Sequence, residues 1–149
     1  MVKYQRELHG FFKDFLLNED IDRFFQMIEP VEIKSSDVLF DSGQEADGMY
    51  FVVSGKMAVQ KETGFGVRRQ TVALLDDGAP VGEAGLLTGN FRGASVVAVV
   101  DSTLLYLSRA SFDVLCEEHP SLCSNFFRWL LGRVSMRLKG STERLAHIL

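Results

Sequence analysis

Apolar positions along the chain follow two different periods, and each change of period marks a change of element. In residues 3–28, Leu8, Phe11, Phe12, Phe15, Leu16, Phe24, Phe25 and Ile28 recur at helical steps interrupted near Asn18-Glu19-Asp20. This spacing predicts two short helices, with Asp20 capping the second and Pro30 marking its exit into a sheet. Across residues 31–107 the apolar runs shorten. They are separated by Ser35-Ser36-Asp37, residues 43–48, Ser54-Gly55, Gly64-Phe65-Gly66 and Asp76-Asp77-Gly78. Turn clusters this closely spaced predict an antiparallel sandwich or roll. Residues 96–100 are apolar without alternation, as in a central strand buried on both faces. Beyond Ser108 the helical period returns with Phe112, Leu115 and Cys116, then breaks at His119-Pro120. Leu122, Phe126, Trp129 or Leu130, Val134 and Leu138 predict a helix over 121–138 with a wide apolar stripe. Gly140 is expected to end that helix, and Ser141-Thr142-Glu143-Arg144 to open a last short one.

Composition narrows the possibilities. A chain of 149 residues, 46% hydrophobic with 12 phenylalanines, has the size and apolar content of one domain spanning 1–149. Its expected parts are N-terminal helices (1–30), a β region (31–108) and C-terminal helices (109–149). The net charge of -4 and pI near 5.4 argue against non-specific nucleic-acid binding. An anionic ligand must therefore be held by local arginine. The charged and aromatic N-terminus is unlike a signal peptide, and no apolar run reaches membrane-spanning length, so a cytoplasmic location is expected. In that compartment Cys116 and Cys123 read as reduced, buried thiols. His9, His119 and His147 have no ligand-like spacing, and residues 31–107 contain no histidine. This argues against a haem or metal site and a cupin-type metalloenzyme, and no resident cofactor is expected.

The candidate chemistry lies in residues 81–96, VGEAGLLTGNFRGASV. Gly82 permits a sharp turn, Glu83 opens a short helix, and Gly89-Asn90 closes it before Arg92. Free amides at the helix start and the planar fork of Arg92 suit a phosphate, while Glu83 can accept from a ribose hydroxyl. Gly93, Ala94 and Ser95 leave room beside the arginine, and Ser95 can donate a hydrogen bond. The plainer alternatives are a dipole-compensating acid, a surface ion pair and ordinary strand packing. Trp129 and Arg133 lie one helical turn apart, where either can cap a purine by stacking or cation-π contact, worth ~0.5 to 2 kcal/mol. Their alternative is a core tryptophan beside a solvated charge.

At these offsets Gly82-Glu83, Leu86-Leu87, Arg92 and Gly93-Ala94-Ser95 resemble the phosphate-binding cassette of cyclic nucleotide-binding domains. Residues 40–55, ending in Tyr50-Phe51-Val52-Val53-Ser54-Gly55, resemble the same family's glycine-spaced β-roll segment. The resemblance covers residues 12–138 and presents both motifs in the family's order. It implies a mainly β fold with flanking helices: an antiparallel β-roll, or double-stranded jelly roll, with C-terminal lid or dimerisation helices. It also implies a ligand set of Gly82, Glu83, Ala84, Gly85, Leu86, Arg92, Gly93, Ala94, Ser95 and Arg133. The implied activity is that of a non-catalytic receptor, signalling by helix rearrangement.

Four positions depart from the family pattern. Gly85 stands where alanine is usual, which is expected to loosen the cassette helix by about 1 kcal/mol. Phe91 replaces a proline and Val81 a phenylalanine. Gly93 replaces a threonine whose hydroxyl favours cGMP in several members, which tilts the expectation towards cAMP. The stripe of Phe126, Leu130, Val134 and Leu138 implies a homodimer through the C-terminal helix. Eleven residues follow Leu138, whereas a complete helix-turn-helix needs roughly 20. Direct nucleic-acid binding by this chain is therefore not expected, and its effector is unspecified. Residues 141–149 nevertheless resemble the linker helix of catabolite-activator-like regulators. A sensor domain without its helix-turn-helix and a stand-alone receptor both remain open. So does a degenerate member that acts as a protein-interaction or dimerisation module.

Overall fold

A computed structural model of the chain describes residues 4–64 and 68–148. Phe65 and Gly66, part of one expected turn, lie outside the described residues. Helices α1 (Gln5–Phe12) and α2 (Asn18–Phe25) are followed by β1 (Ile28–Ile33), β2 (Val38–Phe40), β3 (Gly48–Ser54), β4 (Met57–Glu62), β5 (Arg69–Leu75) and β6 (Pro80–Val81). A 3-10 turn (Glu83–Leu86) then leads to β7 (Ser95–Ala98), β8 (Ser102–Ser108), α3 (Arg109–Glu118) and α4 (Pro120–Ile148).

The strands form two four-stranded antiparallel sheets, ordered β1-β8-β3-β6 and β2-β7-β4-β5. Between them lie Ile33, Val52, Val81 and Leu104 from one sheet and Phe40, Met57, Leu75, Val96 and Ala98 from the other. This is the antiparallel roll that the turn spacing predicts. β3 serves two cores because its side chains alternate: Val52 faces the other sheet, while Met49, Phe51 and Val53 face the helices. In the helical layer Phe12, Phe24, Phe126 and Trp129 pack over Phe51, with the Phe12 and Trp129 rings 4.6 Å apart. Pro30 lies within β1, an edge strand, where a missing N–H is tolerated.

Several expectations are corrected. Asp20 does not cap α2. Leu17 holds the cap position, its carbonyl accepting from the Asp20 and Ile21 amides, and Asp20 accepts from Arg23 at 2.7 Å. β7 is central, as expected, but ends at Ala98, and Val99 and Val100 are exposed. α4 does not stop at Gly140. It continues to Ile148, since a helical glycine weakens a helix by only about 1 kcal/mol relative to alanine and Gly140 does not turn left-handed. Phe126 and Leu130 of the proposed stripe are core residues rather than a free face. Cys116 and Cys123 form a disulfide across the α3–α4 corner. The break at His119 places them on different helices with Cα atoms 5.1 Å apart, rather than two turns apart on one helix.

Candidate ligand-binding site

β6 delivers the chain to Gly82, whose left-handed backbone (φ 66°, ψ 37°) starts the 3-10 turn. The Glu83 and Ala84 amides precede the turn's first bond, from Gly85 N–H to Gly82 O at 2.9 Å. Gly89, also left-handed, reverses the chain towards Arg92. Arg92 is then fixed in the backbone: its N–H donates to Gln44 O at 2.7 Å, and its carbonyl accepts from Gly43 N–H at 2.8 Å. The two segments singled out in the sequence thus meet in space.

The Arg92 side chain turns inward, with only 7% of its surface exposed. Nη1 donates to Gly82 O and Nη2 to Gly48 O, both at 2.9 Å, and the guanidinium lies 4.2 Å from the Phe40 ring centroid. Burial lowers its pKa from the ordinary value, opposed by Tyr50 and Asp47. An arginine guanidinium is charged throughout the physiological range.

Gly85 is essential to this packing. A Cβ there would overlap the Gly48 carbonyl oxygen and approach Arg92 Nη1 at 3.0 Å. The residue expected to loosen the cassette instead allows the turn to seat against β3.

A cavity of about 270 Å³ opens above Arg92. Among the sequence-derived candidates, Gly82, Glu83, Ala84, Arg92, Gly93 and Ala94 line it. Gly85 lies behind the wall. Leu86 faces an apolar groove against α4. Ser95 is buried under β2, where Oγ donates to Asp41 at 3.2 Å and accepts from Ser42 N–H at 3.0 Å. Arg133 is outside the cavity, 5.5 Å from the ring centroid of the buried Trp129.

Arg137, one turn beyond Arg133, lines the cavity instead. Its Nη2 donates to Pro80 O at 2.6 Å and its Nη1 to Glu83 Oε1 at 3.4 Å. Phe40, Val59, Lys61 and Phe91 complete much of the wall. Sequence reasoning missed these residues. Lys61 was accessible through the two-residue period that puts it on the same face of β4 as Val59. Arg137 was visible only as one of several basic residues on the last helix.

Supports extend beyond the wall. Arg109, at the start of α3, donates through Nη1 to Ala46 O at 2.9 Å and Leu87 O at 3.2 Å, tying that helix to the cassette. The Tyr106 hydroxyl donates to Asp47 at 2.8 Å, and burial together with this bond raises its pKa. Among the described residues, no His, Cys, Asp and Glu cluster is arranged to hold a metal, and no helix is long and apolar enough to cross a membrane.

The family model of the cyclic nucleotide-binding domain matches residues 30–119, which take in most of β1, all of β2 to β8, the cassette and α3. The chain belongs to this family. It is similar to a segment of the lysophospholipase NTE1 of Saccharomyces cerevisiae, 31% identical over 129 residues, covering 80% of this chain and 8% of that protein. The chain spans less than a tenth of the length of the first curated relatives it matches. A cyclic nucleotide-binding domain from Methylobacillus flagellatus KT shares the fold with a TM-score of 0.90, at 24% identity and covering 99% of this chain and 85% of that one. The regulatory domain of Toxoplasma gondii PKA, crystallised with cAMP, aligns with a TM-score of 0.65 at 25% identity, covering 74% and 42% of the respective chains.

Proposed function

We propose that this chain is a non-catalytic receptor unit for a cyclic nucleotide, cAMP in preference to cGMP, and that α4 carries its output. The observation that carries this reading is the position of Arg92: a buried cation, held by two backbone carbonyls, beneath a cavity that Glu83 and Arg137 face. A cyclic phosphate would take its charge-assisted bonds from Arg92 and from the amides that open the 3-10 turn. A ribose hydroxyl would donate to Glu83 and compete with Arg137. Occupancy would thereby release the link from the cassette to α4, and any differential affinity for the two α4 positions becomes the signal. Gly93 offers no hydroxyl to a guanine, which supports cAMP, and the T. gondii domain crystallised with cAMP gives the same support. Arg133, beside Trp129, would reach the base only after α4 shifts.

On this reading residues 1–149 act as one unit in the cytoplasm, make no direct nucleic-acid contact and pass their output to an effector protein of unspecified identity. A homodimer would form on α4 through Phe127, Leu131, Val134, Leu138, Leu145 and Ile148, whose alternating steps, with Ser141 completing the series, follow a heptad. Most of these side chains are well exposed.

Calorimetric titration with cAMP, cGMP and cyclic di-GMP, repeated on Arg92→Lys, tests the ligand assignment. Saturable binding of cAMP, strongest among the three and weakened at least tenfold in the variant, is expected. If none of the three binds at millimolar concentration, the interaction-module reading replaces it.

A further inference from the structure

β5 is the outer strand of its sheet: one edge pairs with β4, and no strand pairs with the other among the described residues. Its residues Arg69, Gln70, Thr71, Val72 and Leu74 are exposed. Such an edge presents a row of unmatched backbone donors and acceptors, which proteins usually blunt with charge, proline or a covering element. β5 has charge only at Arg69, no proline, and two uncovered apolar side chains, Val72 and Leu74. The C-terminal half of α4 runs beside it and leaves a groove of about 490 Å³, walled by Val72 and Leu74 on the strand and Met136, Gly140 and Arg144 on the helix. Gly140 keeps that wall low, since nothing but Arg144 Nη1 would come within 4 Å of a Cβ there.

The charge of the groove selects the occupant. Arg144 hydrogen-bonds the Ser141 hydroxyl at 3.1 Å and meets no carboxylate among the described residues. Arg137 also lines the groove but is committed to Glu83 and Pro80. Asp76 and Asp77 lie past the end of β5, where Asp76 pairs with Lys56 and Asp77 accepts from Gly55 N–H.

We propose that an extended acidic segment of a partner protein docks here as an added strand on β5. Its backbone would pair with the free edge, its apolar side chains would cover Val72, Leu74 and Met136, and its carboxylates would face Arg144. This assignment stands on the strand edge and the groove, independently of any nucleotide.

Fluorescence anisotropy on the intact chain tests it, with a fluorescein-labelled peptide of alternating glutamate and valine as the probe. Saturable binding in the micromolar range is expected, weakening markedly from about 0.1 to about 0.5 M salt. Three controls should bind at least about tenfold more weakly: the peptide with lysine in place of glutamate, the peptide N-methylated along its backbone, and the Arg144→Glu protein. Leu74→Lys should also abolish binding while leaving the melting temperature within about 2 °C. Equal binding of the acidic, basic and N-methylated peptides, no effect of Arg144→Glu, or no binding at millimolar peptide would overturn the proposal. Self-association of the chain that Leu74→Lys removes and peptide fails to displace would assign the edge to a second copy and overturn it as well.

Discussion

Arg137 of α4 reaches Glu83 of the cassette at 3.4 Å and Pro80 O at 2.6 Å, so the long helix and the 3-10 turn are joined by one side chain. Both charged groups are partly exposed, and their ion pair is worth on the order of 0.5 kcal/mol. Arg137→Ala should therefore lower stability only slightly. It should raise cAMP affinity by roughly threefold to tenfold, because the ribose no longer competes for Glu83. Calorimetric titration reads this directly, and a fall in affinity would mean that Arg137 contributes to ligand contact instead.

Gly85→Ala is expected to be severe for so small a change. The new methyl overlaps the Gly48 carbonyl oxygen, backbone that has no rotamer by which to retreat. Overpacking of this kind destabilises by about 1–3 kcal/mol. Urea unfolding would show it, and a variant as stable as wild type would contradict the close seat of the turn.

Arg92→Ala leaves the Gly82 and Gly48 carbonyls without their charged donor, a loss of about 2–4 kcal/mol in folding alone. Its ligand-free melting temperature should drop accordingly. Arg92→Lys retains the charge and should melt closer to wild type, so a binding loss in the lysine variant reports on the ligand rather than on unfolding.

The Cys116–Cys123 bond joins residues seven positions apart. Reduction should destabilise the chain by about 2–3 kcal/mol on loop entropy. Denaturant midpoints with and without dithiothreitol measure it, and Cys116→Ser should reproduce the reduced value.

Leu131→Glu and Leu138→Glu should yield monomers by light scattering with little change in melting, since both side chains are exposed. Phe126→Ala, by contrast, empties a fully buried site and should destabilise by about 3–5 kcal/mol. A wild type already monomeric at high concentration would remove the heptad seam from consideration.

The roll was legible because its signals are local. Short apolar runs and turn clusters specify strands, and Gly82, Gly89 and Arg92 bracket the cassette whatever lies elsewhere in the chain. What escaped depends on distant partners. Asp20 has the chemistry of a cap, but the Leu17 carbonyl already takes the Asp20 and Ile21 amides, so α2 starts earlier, at Asn18. Gly140 looks like a stop until it is seen inside a continuous helix. Phe126 and Leu130 share the helical period of a dimer face, and only the packing of Phe12 and Phe51 against that surface shows it is already occupied. Arg137 became identifiable as a cavity residue once α4 was seen to pass Pro80 and Glu83.

Gly48, whose carbonyl holds Arg92, is also the first residue of β3, the strand that carries Phe51 beneath Phe126 and Trp129. The anchor of the buried cation and the bearing surface of α4 therefore belong to one stiff ribbon of backbone, hydrogen-bonded to β8 along its length. Under the proposed function this ribbon would serve as a lever, with the Arg92 anchor at one end and the helical layer along its arm.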